Sequence, residues 1–140
     1  MSRILLLFVL FLASVPGAYA QPSGPDPIAE NLFSPEFVMR YAADVGLEEP
    51  QRTAIKDALQ KAQSRFVDLQ WDLQAESGRM VRLLQARPVD EAAVLARADR
   101  VMSLEREIKR AHLSLLVRIK NLLSEAQQDK LLALRRRPSN

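Results

Sequence analysis

Apolar residues step by alternating fours and threes through Ile55, Leu59, Ala62, Phe66, Leu69 and Leu73, pass Glu76, and resume at Met80 and Leu83. That spacing predicts one long helix from about Pro50 to Gln85, carrying a coiled-coil-like seam with a single polar interruption. Ala86-Arg87-Pro88 breaks it, and a second long helix begins at Val89 or Asp90 and extends to Leu122. Val94, Ala98, Val101, Ile108, Leu115 and Leu122 form one edge of its wide apolar stripe, which Leu104 and Ala111 fill and Ile119 extends. A short helix precedes the pair, with Ser34 as cap, Pro35 at the first position, Glu36 near the positive end and Gly46 as terminator. Another follows from Ser124 to about Leu134, with Leu131, Leu132 and Leu134 apolar. No strand-like alternation of useful length occurs. The expectation is an all-α chain: a long antiparallel helical hairpin with short flanking helices, assembled as a homodimer.

The first long helix has a second apolar side. Val67, Trp71, Gly78 and Val81 share a stripe away from the seam, with Leu84 nearby. A helix apolar on two sides must be covered twice or expose a patch. Packing within the monomer, a dimer interface and a surface for unfolded client proteins all remain open for Val67, Trp71 and Val81, with Arg65 and Arg79 as flanking charged partners. Gly78 costs about 1 kcal/mol against alanine in a helix, which suggests a bend or close backbone approach there. Glu76, within the seam, is expected to pair with Arg79 or with Arg97 or Arg100 across the hairpin, fixing register more than adding stability.

The chain's ends change the picture more than its composition. Arg3, the apolar run Ile4 to Val15 and the Ala18-Tyr19-Ala20 exit predict a secretory signal over 1–20. The run falls short of the roughly 20 residues that span a bilayer. Residues 21–33 are expected to be an extended leader, 34–134 a four-helix domain and 135–140 a basic disordered tail. The absence of cysteine removes disulfides, thiolate ligands and a thiol nucleophile together. A small exported domain without disulfides gains from oligomerisation. The formal charge of +3 falls by one when Arg3 leaves with the signal. With no basic face interleaved with aromatics, nucleic-acid binding is not expected.

Catalytic motifs are equally scarce. There is one histidine, no glycine-rich phosphate loop and no serine placed beside a base, so neither an enzyme nor a small-molecule substrate is expected. No cofactor is implied by the residues. The weak metal candidates are His112, Glu105 and Met102. His112 and Glu105 lie on one flank of the second long helix, seven residues and about 10.5 Å of rise apart, too far for easy joint coordination. Either would need a partner helix to complete a site, and Met102 would add a soft ligand.

One phrase occurs twice, once well and once imperfectly. Leu123-Ser124-Glu125-Ala126-Gln127 joins two helices: Ser124 caps, Gln127 reaches back to the cap amide, and Leu123 acts as the hydrophobic staple. Leu47-Glu48-Glu49-Pro50-Gln51 is the poorer joint, with Glu48 where a better cap would stand. Two such joints around a hairpin resemble the Leu-Thr-x-x-Gln repeats of the periplasmic family of Spy/CpxP-type refolding chaperones and heavy-metal sensors. The resemblance covers roughly Phe33 to Leu134, with Glu48 and Ser124 in place of threonine. It implies a periplasmic envelope-stress protein that holds unfolded clients without ATP. The alternative it implies is a heavy-metal sensor or resistance protein that binds a transition metal and signals to a membrane regulatory partner. The His-x-x-x-His and His-x-x-x-Met ligands of the nickel and cobalt sensors align with Val38 and Ala42 and with Leu115 and Ile119, none of which binds metal.

Overall fold

The computed structural model describes residues 26–136. The expected secretory signal, the start of the leader and the last four residues of the tail lie outside them. Five helices follow in order: α1 (Pro27–Glu30), α2 (Pro35–Arg40), α3 (Glu49–Leu84), α4 (Glu91–Leu122) and α5 (Glu125–Arg135). Strands are absent among the described residues. At 1.5 Å per residue, α3 and α4 run for about 54 and 48 Å, packed antiparallel as the expected hairpin. None of the described helices is long and apolar enough to cross a membrane.

Local chemistry sets the helix starts. Ser34 Oγ accepts the Phe37 amide at 3.2 Å and Asp90 Oδ1 accepts that of Ala93 at 3.0 Å. Each removes one orphan donor from a first turn. α2 ends at Arg40, earlier than the Gly46 stop that the sequence suggests. The chain loosens at Tyr41, where the Ala42 amide reaches Met39 O rather than continuing the α ladder. A further turn then closes with the Leu47 amide on Ala42 O at 2.8 Å, and Gly46 supplies the left-handed φ of 66° it requires.

The leader is not wholly extended. Asp26 Oδ1 accepts the Ile28 amide at 2.9 Å and Pro27 occupies the first position, giving the one-turn α1. Nor is Arg135 part of a loose tail. It lies in α5, donates to the carbonyls of Ala29, Glu30 and Leu32, and places its guanidinium 5.0 and 5.3 Å from the ring centres of Phe33 and Phe37. Lys120 adds a bond to Asn31 O at 2.8 Å. Cations from the last turns of α4 and α5 thus hold the leader against the domain.

Burial is uneven along the hairpin. The main core gathers where the termini meet: Phe33, Val38, Val45 and Leu47 from the N-terminal side close over Ile55, Ile119, Leu123 and Leu131. Farther out, Leu69 and Leu104 are the fully buried apolar side chains of the two long helices. α2 and α5 are too short to reach that region, so the molecule is a packed head with a two-helix stalk.

Candidate functional site

The two joints meet. Gln51 Nε2 donates to Gln127 Oε1 and Gln127 Nε2 donates to Gln51 Oε1, each at 2.9 Å. Each oxygen also accepts a cap amide, Glu48 N at 3.0 Å for Gln51 and Ser124 N at 2.9 Å for Gln127. The second proton of each amide goes to a chain carbonyl, Leu122 O at 2.8 Å and Gly46 O at 3.1 Å. Both side-chain amides therefore use two donors and two acceptor positions. Leu122 precedes its cap residue by two places, as Gly46 does, so the arrangement has local two-fold pseudosymmetry. Leu47 and Leu123, the apolar members of the motif, are both buried in the head.

The stalk carries the other features singled out by the sequence. Val67, Trp71 and Val81 are 52, 67 and 49% exposed, so none of the described helices covers this row. Packing against α2 or α5 is thereby removed as an explanation. At 100° per residue Arg65 points about 160° from Val67, and Arg79 about 80° from Trp71. Both are bound to carboxylates. Arg65 Nη2 meets Glu107 Oε2 across the hairpin at 2.8 Å, and Arg79 Nη1 meets Glu76 Oε1.

Glu76 is 8% exposed within the seam and receives Arg97 Nη1 of α4 on its second oxygen at 3.0 Å. Arg79 and Arg97 are thus both partners, whereas Arg100 makes no ion pair among the described residues. Burial acts to raise the Glu76 carboxyl. The Arg97 hydrogen bond and the charges of both guanidiniums outweigh it and hold the group below its ordinary value of 4.5.

The metal candidates remain dispersed. His112 is exposed and sets its ring edge-on to Phe66, with centres 6.3 Å apart. Met102 is 52% exposed and Glu105 is exposed, both on the same helix. Among the described residues no three His, Cys, Asp or Glu side chains converge on a common point.

The motif spacing marks both glutamines but not their pairing, and no spacing marks the Arg135 contacts. The repetition of one motif before and after a hairpin was the available signal that the two copies share one end. Arg135, in a run of three arginines, carried none.

A family model described as heavy-metal resistance matches residues 3–130. No curated protein and no solved structure matches the chain. With both joints and the whole hairpin inside the matched region, the chain belongs to the heavy-metal resistance family.

Proposed function

We propose that this protein serves heavy-metal resistance as an exported, sensor-type protein whose state is read by a membrane partner. The observation that carries this reading is the family match across nearly the whole chain. The Ala18-Tyr19-Ala20 exit supports export to the periplasm. Because no three His, Cys, Asp or Glu side chains converge among the described residues, metal would be held between two copies, with His112, Glu105 and Met102 from the exposed flank of α4 as contributors. Calorimetric titration of the protein with nickel, cobalt, copper and zinc, beside His112→Ala, tests it. The expected result is one ion per two chains, lost in the variant. No binding, or binding indifferent to His112, overturns the metal-holding role.

A second reading is favoured by the uncovered row of Val67, Trp71 and Val81: holding of unfolded clients without ATP. It predicts suppression of client aggregation that Trp71→Ser abolishes while His112→Ala leaves it intact. A homodimer through the same row would appear as a change in sedimentation with Trp71→Ser and no effect on clients.

A further inference from the structure

At the far end of the stalk, an open cleft of about 610 Å³ lies between α3 and α4. Its lining divides into two chemistries. Leu83, Ala93 and Ala96 present carbon, and Arg79, Arg82 and Arg97 present guanidinium groups. The two alanines of α4 contribute only methyl groups, so the space between the helices is not filled by side chains.

The cations are positioned before any ligand arrives. Arg79 and Arg97 each give a single nitrogen to the buried Glu76, which anchors both guanidiniums. An arginine has five N–H donors, and the remaining ones on each have no side-chain acceptor among the described residues. Arg82 has no carboxylate partner among the described residues. Its Nη1 lies over Gly78, 3.8 Å from where a Cβ would stand. Three guanidiniums thus line the cleft, and Glu76, bound by two of them, is the one carboxylate paired to any of them among the described residues, leaving two positive charges in excess beside an apolar lining.

We propose that this cleft binds a small amphipathic anion, a free carboxylic acid with a single alkyl chain. The carboxylate meets Arg82 and the unused nitrogens of Arg79 and Arg97, for which a planar fork is the matched donor. The chain lies along Leu83, Ala93 and Ala96. The volume is in the range of small-ligand sites, about 300–1,000 Å³. No aromatic side chain lines the cleft to stack a base or sugar, which favours an aliphatic ligand.

Calorimetric titration of the purified protein with monomeric dodecanoate tests the proposal, with acetate as head group alone and dodecyltrimethylammonium as the same chain under a cation. The expected result is saturable binding of one dodecanoate per chain, weakened about tenfold or more by Arg82→Gln and unchanged by Trp71→Ser. Ala93→Leu, which fills the cleft, should abolish binding; if circular dichroism shows that variant unfolded, Ala96→Leu takes its place. Absence of dodecanoate binding overturns the proposal. So does equal binding of the ammonium, or loss with Trp71→Ser instead of Arg82→Gln, which would move the ligand to the exposed apolar row. Binding to vesicles of anionic lipid without binding of the monomeric acid would assign the arginines to a membrane surface and also overturn it.

Discussion

Gln51 and Gln127 exchange two hydrogen bonds of 2.9 Å through their side-chain amides, although 76 residues separate them. The surrounding backbone dictates which way each amide faces. The Glu48 and Ser124 amides require oxygen, while the Gly46 and Leu122 carbonyls require nitrogen. Only amides on both sides meet these demands, which explains glutamine rather than glutamate at the two positions. The pair thereby ties the start of α3 to the start of α5 and sets the root from which the hairpin projects.

Gln127→Glu tests that requirement with almost no change of shape. A carboxylate cannot donate to Gly46 O or Gln51 Oε1, and Gln127 is only 8% exposed. The expected loss at neutral pH is about 2–4 kcal/mol, lessened in acid as the carboxyl regains a proton. In a double-mutant cycle, Gln51→Ala and Gln127→Ala should couple by about 1–2 kcal/mol. Denaturant unfolding measures both, and additive effects would mean that the pair contributes nothing beyond its separate caps.

The two described glycines should respond in opposite directions. A Cβ at Gly78 would meet only Arg82 Nη1, at an ordinary 3.8 Å, so neither a close backbone approach nor steric need keeps glycine there. Gly78→Ala should stabilise the protein by about 0.5–1 kcal/mol through helix propensity. Gly46→Ala has open space but a φ of 66°, and should cost about 1–2 kcal/mol. Chemical denaturation of both variants checks the signs.

The stalk's periodicity was legible because a coiled-coil seam is a local pattern: Leu69, Leu73 and the interrupting Glu76 announce themselves by spacing alone. The same register placed Trp71 away from the seam. Its exposure was not legible, since that depends on how far α2 and α5 reach. The Gln51–Gln127 pairing joins distant segments, and no periodicity encodes it. The leader's single turn was written in Asp26-Pro27 but lay among prolines that read as extended chain. Arg135 was obscured for a different reason: a long side chain can find carbonyls well away from its own helix face.

Glu76 makes the stalk's stability depend on pH. Its folded carboxyl sits below the ordinary 4.5 because Arg97 and Arg79 outweigh the effect of burial. The stabilisation is complete above the unfolded value and is lost as pH falls through the lower folded one. Melting temperatures compared at about pH 6 and about pH 3 should therefore show a smaller acid-induced drop in Glu76→Gln than in the parent. Equal drops would show that the acid sensitivity arises from other carboxylates.

Arg135 provides the sharpest test of how the leader is held. Its fork reaches the carbonyls of Ala29, Glu30 and Leu32 while its plane lies near Phe33 and Phe37. A lysine preserves charge but has neither the planar fork nor the same stacking surface. Arg135→Lys should therefore behave more like Arg135→Ala than like the parent, each costing about 1–3 kcal/mol. Hydrogen exchange should report the effect first at residues 28–33, where the one-turn α1 has no buried residue of its own to anchor it. Exchange at Ile55 and Ile119, deep in the head, should rise only by the global loss of stability. Full protection of the leader in Arg135→Lys would show that charge alone, with Lys120 on Asn31 O, suffices to hold the segment.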